Sequence, residues 1–250
     1  MGKADLHIHT IHSADGTATV PAVLEHVRRH TDLDLIAITD HDEIRGAREA
    51  QELASAYGIE VVPGIEISTA QGHLLALFVE EVVPRGRSLV ETVKRVGDLG
   101  GLCIAAHPGG AMAVSLSPKA IRRALRDPEV AQVLVGAESY NAGLLHLRTN
   151  IGAARLAREQ GLAEIGSSDA HMLWPIGTGV TTFEGTTAED LRRALLERTT
   201  GVGYRARPWH FPLSWVGRQI LRRFGFASWS PRLPGGPLGL RHRARVEPSW

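Results

Sequence analysis

The chain has a single cysteine, Cys103, so it can form no internal disulfide, and its sulfur content does not point to an oxidising compartment. It has no apolar run near the roughly 20 residues that span a bilayer, and its opening Met-Gly-Lys-Ala-Asp-Leu-His lacks an apolar signal core. The expectation is therefore a soluble, cytoplasmic protein with no membrane partner. Internal repeats and low-complexity tracts are also lacking, which argues against fibrous or disordered architecture. What is present is ordinary globular composition: 250 residues, 43% hydrophobic and 22% charged, enough for one sizeable core.

The formal net charge of +1 conceals a division. Residues 204–250 carry nine arginines against one acid, Glu247, together with four of the five tryptophans. Residues 1–203 carry a formal charge of −7 and ten of the twelve histidines. The shift predicts a body over 1–203 and a basic, Trp/Arg-rich extension over 204–250, flexible beyond Pro231. Within 209–229, helical spacing from Ser214 gathers Trp215, Ile220, Leu221 and Phe224 on one side and Arg218, Arg222 and Arg223 on another. Such a segment suits the acidic body, an anionic membrane or nucleic acid, and the body is the immediate partner of opposite charge.

Short β-type runs alternate with helical patterns through the body, the pattern of repeated βα units and a mainly parallel sheet. Strands are predicted at 4–9, 33–39, 60–68, 73–79, 102–106, 133–139 and 163–167, with helices near 20–30, 43–57, 88–99, 118–126, 145–160 and 187–198. Thr19 before Val20-Pro21 and Thr187 with Asp190 read as helix starts; Gly58, Gly100 and Gly161 read as helix stops. Seven strands with intervening helices predict a closed or nearly closed α/β barrel, with a doubly wound sheet as the other candidate.

Five short motifs with metal-type ligands fall at or just after strand ends. In Asp5-Leu6-His7-Ile8-His9, alternation sends His7 and His9 to one face, and Asp15 follows in the loop. Thr39-Asp40-His41-Asp42 closes the second strand; Pro63-Gly64-Ile65-Glu66 lies in the third, with His73 after a turn. Ala106-His107-Pro108-Gly109-Gly110 and Ser168-Asp169-Ala170-His171 complete the set. Any one of these has an ordinary explanation as a surface pair or helix cap. Recurrence at five strand ends, where barrel active sites are assembled, points to metal binding. Six imidazoles and three carboxylates without cysteine are too many for one ion, so two or three divalent ions are expected. Mixed nitrogen and oxygen ligation suits zinc, manganese or iron better than magnesium or calcium.

From Asp5 to about Phe183 these motifs resemble the PHP family, named for polymerase and histidinol phosphatase. The resemblance implies a distorted (β/α)7 TIM-like barrel and metal-dependent hydrolysis of a phosphoester. It also implies three sets of ligands: His7, His9, Glu66 and Asp169; Glu66 with His73 and His107; and Asp15, His41 and His171. Many members have Ser-Asp-Gly after the H-x-H pair, whereas here Ala14 separates Ser13 from Asp15. Only 33 residues separate His73 from His107, which leaves no room for an inserted cap domain.

The expected chemistry is attack by a metal-activated water on a phosphorylated small molecule or nucleotide, with Glu66, Asp169 and His171 as the catalytic candidates. Asp40 and Asp42 are candidates for orienting His41 or, equally, for capping nearby backbone. Arg45, Arg148, His12 and the amides of Gly109 and Gly110 are candidates for contact with substrate. A nuclease acting on oligonucleotide ends, aided by the basic tail, and a non-catalytic metal-binding regulatory module are the alternatives.

Overall fold

The structure, a computed structural model, describes residues 1–110, 114–143 and 149–205. Arg148, His146, the start of the helix expected from 145, and the extension beyond residue 205 lie outside the described residues.

The elements run β1 (Gly2–Ile8), α1 (Val20–His30), β2 (Leu35–Ile38), α2 (Arg45–Tyr57), β3 (Glu60–Thr69), β4 (Gly72–Leu77), α3 (Leu89–Asp98) and β5 (Leu102–Ala105). They continue with α4 (Pro118–Ala124), α5 (Pro128–Val133), β6 (Leu134–Asn141), α6 (Asn150–Glu159), β7 (Ala163–Ser167), β8 (Gly179–Phe183), α7 (Ala188–Glu197) and β9 (Gly201–Tyr204). All seven expected strands are present; β8, β9 and the six-residue helix α5 are additional. The Thr187–Asp190 capping box forms, and Gly58 ends α2 at φ 65°. Thr19 precedes a helix with proline in its first turn, but its side chain makes no capping bond. Among the described residues no helix is long and apolar enough to cross a membrane.

The sheet order is β7-β6-β5-β4-β3-β2-β1-β8-β9. β1–β2–β3 and β5–β6–β7 pair in parallel, as βα units require. β4 is antiparallel to both neighbours, and β8 and β9 add antiparallel strands beside β1. The curled sheet nearly closes where Ala170, just after β7, donates to His7 O at 3.2 Å and accepts from His9 N–H at 2.8 Å. The fold is thus a distorted barrel, as expected.

Two apolar clusters hold it together. Ala4, Leu6, Leu35, Val62, Leu75, Ile104 and Ile165 fill the inside, joined by Leu191, Ala194 and Leu195 of α7. Ala188 N–H of α7 donates to Glu60 at the start of β3, and Arg192 donates to Gly100 O just before β5, so α7 covers the N-terminal end of these strands. The outer cluster joins Leu24, Ala47, Val93, Ile121 and Leu156 of the surrounding helices to Ile8, Ile36, Ile38 and Ile65.

One irregularity aims the chain. Asp5 pairs with Ile36 but Ile8 with Ile38, so β1 has one more residue than β2 in this interval. Such a bulge changes which face a side chain takes. Ala4 and Leu6 belong to the inner cluster and Ile8 to the outer one, while His7 and His9 turn toward a common point inside the rim.

Three acids tie the rim, Asp5 and Asp40 fully buried and Asp42 partly so. Asp5 accepts from Ser168 N–H at 3.0 Å and Gly177 N–H at 2.8 Å. Asp40 accepts from Thr10 N–H and Thr10 Oγ1–H at 2.6 and 2.7 Å, and Asp42 accepts from Ser68 N–H at 2.8 Å. Asp40 and Asp42 therefore clamp backbone, the second of the two roles the sequence left open for them. Gly46, in the first turn of α2, lies so close that an added Cβ would collide with the Asp40 carboxylate. A Gly→Ala change in a helix ordinarily gains roughly 0.5–1 kcal/mol. Gly46→Ala is expected instead to lower the melting temperature in thermal denaturation, because it disturbs the Asp40–Thr10 clamp.

Candidate metal centre

All nine expected ligands meet at the rim, with Glu66 at the centre. Its Oε2 lies 3.2 Å from His7 Nε2, 3.3 Å from His9 Nε2 and 3.1 Å from His41 Nδ1. Its Oε1 lies 3.0 Å from His73 Nδ1 and 3.2 Å from His107 Nε2. Asp169 Oδ1 is 3.5 Å from both His7 Nε2 and His9 Nε2. Asp15 Oδ2 is 3.1 Å from His171 Nε2 and 3.4 Å from His41 Nε2, so the extra residue Ala14 does not keep Asp15 from the cluster.

The hydrogen-bond chemistry tests whether these groups suit cations. His7 Nδ1 faces the Glu138 carboxylate at 2.8 Å, and His171 Nδ1 faces the carbonyl of Asp169 at 3.0 Å. Both partners are acceptors, so each Nδ1 carries the proton and each Nε2 presents a lone pair when the ring is neutral. Those lone pairs point at further acceptors, Glu66 and Asp15. Acceptor against acceptor is unfavourable unless a proton or a metal ion lies between. Among the described residues the buried Nε2 atoms of His7 and His9 have no hydrogen-bond donor or acceptor other than these facing carboxylates, as atoms kept for another purpose would be. Two ligand atoms each about 2.1 Å from one ion lie about 3.0–3.4 Å apart, which is the spacing of these pairs. The residues fit divalent ions.

In the metal-free protein, protons answer the same demand. Burial opposes charge on His7, but Asp169, Glu66 and Glu138 outweigh it and raise its pKa well above the usual imidazole range. Against the same opposition, Asp15 and Glu66 raise His41 to about 9. His107 and His171 also rise despite burial, through Glu66 and Asp15 respectively. Burial, then the neighbouring His171, lowers His9 to about 4. Burial would raise the carboxyl groups of Glu66, Asp169 and Asp15, yet the surrounding imidazoles hold all three well below the ordinary range.

Among the described residues, one ligand atom per residue lies within 4.8 Å of the others in three groups: His9, Asp15, His41 and His171; His7, His9 and Glu66; and His41, Glu66 and His73. His9 and His41 each belong to two groups, a sharing that sequence spacing did not show. The substrate candidates fare differently. Arg45 pairs with Glu43 at 2.7 Å and His12 with Glu49 at 2.9 Å, acids that are not among the nine expected ligands. The amides of Gly109 and Gly110 donate to Leu116 O and His107 O, so they are engaged within the loop. Sequence reasoning missed the residues behind the rings: Glu138 and Asn141, Ser13 beside His9 Nδ1 at 3.1 Å, and Ser115 beside His107 Nδ1 at 2.9 Å.

Known proteins resemble the chain in sequence and in fold. A family model for the PHP domain matches residues 5–140, and one described as PHP-associated matches residues 148–200. An uncharacterised protein of Methanocaldococcus jannaschii is 38% identical over 149 residues, 56% of this chain and 82% of that protein. A phosphoribosyl 1,2-cyclic phosphate 1,2-diphosphodiesterase of Eggerthella lenta is 38% identical over 86 residues, 32% of each chain. A 5'-3' exoribonuclease of Haemophilus influenzae is 35% identical over 96 residues, 37% of this chain and 34% of that enzyme. The chain thus matches about a third of each of these two enzymes. Among solved structures, a two-domain protein of Bacteroides vulgatus containing a predicted PHP-like metal-dependent phosphoesterase has the same fold, with TM-score 0.65 and 21% identity over 81% of this chain and 64% of that one. Matched over more than half of its length by the family's own model, the chain belongs to the PHP family.

Proposed function

We propose that the protein is a metal-dependent phosphoesterase acting on a phosphorylated small molecule or nucleotide. The observation that carries this reading is the set of imidazole nitrogens directed at carboxylate oxygens 3.0–3.5 Å away around Glu66. His7, His9, Glu66 and Asp169 would hold one ion, Glu66, His73 and His107 a second, and Asp15, His41 and His171 a third. Bound divalent ions lower the pKa of water from about 16 to about 7 and neutralise charge developing on phosphoryl oxygens.

The chain supplies the rest. Glu66, buried and with its two oxygens turned to different histidines, joins the first two groups of ligands. With ions bound, Asp169 Oδ1 and His171 Nε2 would face them and hold no proton to give, so the leaving group would take its proton from water, which reaches this edge of the site where the side chains of Asp169 and His171 are 10% and 18% exposed. Support for a phosphoester substrate comes from three relatives that carry activity names, one acting on a cyclic phosphate, one on RNA and one, of Chromobacterium violaceum, on a 3',5'-nucleoside bisphosphate. The second of these favours an alternative, hydrolysis at oligonucleotide ends.

The test begins with elemental analysis of the purified protein. p-Nitrophenyl phosphate, mononucleotides and a 5'-phosphorylated oligonucleotide are then offered with Mn²⁺, Zn²⁺ or Fe²⁺, with and without chelator. Turnover is expected to vanish with chelator and return with the ion, and Glu66→Gln to lose more than about 100-fold in kcat/KM. Chelator-insensitive turnover, or none with any ion, overturns the proposal; activity confined to the oligonucleotide selects the nuclease.

Proton and metal occupancy also predict a stability profile. An unfolded histidine titrates near pH 6.5, whereas His41 titrates at about 9 in the fold. Its stabilising proton is fully present below about pH 6.5 and is lost as pH rises through 9; His7, His107 and His171 act in the same direction. The melting temperature of the metal-free protein is expected to fall between about pH 6.5 and 9. The extra stability conferred by Zn²⁺ is expected to widen over that range, as protons cease to compete for the ligands. Thermal melts in chelator and in Zn²⁺ check both slopes, and a metal-free melting temperature that is flat or rising over this range contradicts the first.

A further inference from the structure

We infer that Glu138 is the positioning residue that decides which nitrogen of His7 is open to a metal ion, an inference that rests on the proposed metal-dependent function. Glu138 lies on β6 and is fully buried. Four donors converge on its two oxygens. Oε1 accepts from His7 Nδ1–H at 2.8 Å and from the Ser167 hydroxyl. Oε2 accepts from His107 N–H at 2.6 Å and Asn141 Nδ2–H at 2.9 Å. Each carboxylate oxygen has two lone pairs, so all its acceptor sites are filled and Glu138 has none left for an ion.

The filled set has directional consequences. With the N–H groups of His107 and Asn141 on Oε2 and the Ser167 hydroxyl beside His7 on Oε1, Glu138 can only accept from the His7 ring. The proton of His7 therefore stays on Nδ1, and Nε2 faces Glu66 Oε2 and Asp169 Oδ1. The same carboxylate grips the backbone of His107, which sits at φ 30°, a conformation a non-glycine residue keeps only where its surroundings impose it. Asn141 relays the effect further: its amide also donates to Asp169 Oδ2 at 3.2 Å, leaving Oδ1 toward His7 and His9. One buried acid thus sets ligands belonging to two of the three ion groups without being a ligand.

Glu138→Gln keeps the shape but replaces one acceptor oxygen with an NH₂ group. If that group faces His107, it meets a backbone N–H that cannot turn away. If it faces His7, the ring must accept at Nδ1 and carry its proton on Nε2, closing that atom to metal. Titration calorimetry with Zn²⁺ alone is expected to show affinity about 10- to 100-fold weaker than wild type. Long-range ¹H–¹⁵N spectra of the Zn²⁺-loaded wild type are expected to show His7 protonated at Nδ1 and not at Nε2, with that signature lost in the variant. A merely structural contact would not move the tautomer. Variant affinity within twofold of wild type overturns the inference while leaving the proposed function standing. A wild-type spectrum with Nδ1 unprotonated also overturns it and needs no variant, so a misfolded Glu138→Gln does not protect the idea. Failure of the wild type to take up any Zn²⁺ removes both readings together.

Discussion

Glu66 sets the condition that the rest of the structure meets. It is a single carboxylate, 1% exposed, with imidazole nitrogens of five histidines within 3.0–3.3 Å. A charge removed from water must be answered inside the protein or be given up. The answering rings come from β1 and its end, the turn after β2, β4 and the turn after β5. No local stretch of chain could deliver them; the strands must end at one place. Curling the sheet and burying Glu66 are therefore the same requirement.

A second set of acids makes that convergence rigid. Asp42, His107 and Asp169 all have positive φ, at 53°, 30° and 52°, and each such residue costs about 1–3 kcal/mol unless its surroundings hold it. In each case a carboxylate bonded to backbone N–H sits at or beside the strained residue. Asp42 accepts from Ser68 N–H with its own side chain, Glu138 takes the His107 N–H, and Asp5 takes the N–H of Ser168 next to Asp169. Burial raises Asp5 to about 6 despite these bonds. The division of labour is between acids whose oxygens face imidazole nitrogens and acids whose oxygens face amides.

The sequence made the first kind of acid legible and hid the second. His7 and His9, or Asp169 and His171, declare themselves by i, i+2 spacing at a strand end. Glu138 and Asn141 are three apart, which on a regular strand puts them on opposite faces. In the fold, Glu138 pairs with Ile165 but Tyr140 with Gly166, so β6 carries an extra residue there, and both side chains meet at 2.9 Å. The bulge that aims Asn141 is invisible to periodicity. For Asp40 and Asp42 the sequence leaves two roles open for a related reason, since adjacency to His41 in the chain is not contact with its ring; both carboxylates accept from backbone N–H instead. β8 and β9 were passed over because Gly-Val-Thr-Thr-Phe and Gly-Val-Gly-Tyr are short and glycine-bearing, and their place is set by pairing with β1 and with each other.

Charge arithmetic then constrains how the centre could attract a phosphate. Glu66, Asp169, Asp15 and Glu138 bring four negative charges, and in the metal-free protein four imidazoles, those of His7, His41, His107 and His171, have raised pKa values that balance them. Two divalent ions replacing those protons would also only balance the carboxylates; a third leaves an excess of about +2. The body around the centre is acidic, and Arg45 and His12 are held by Glu43 and Glu49, so neither supplies that excess. Under the proposed function, attraction of a phosphate dianion therefore falls to the group around Asp15, His41 and His171. That group is the least buried of the three, with side-chain exposures of 35%, 26% and 18%, and so the one an incoming anion meets first.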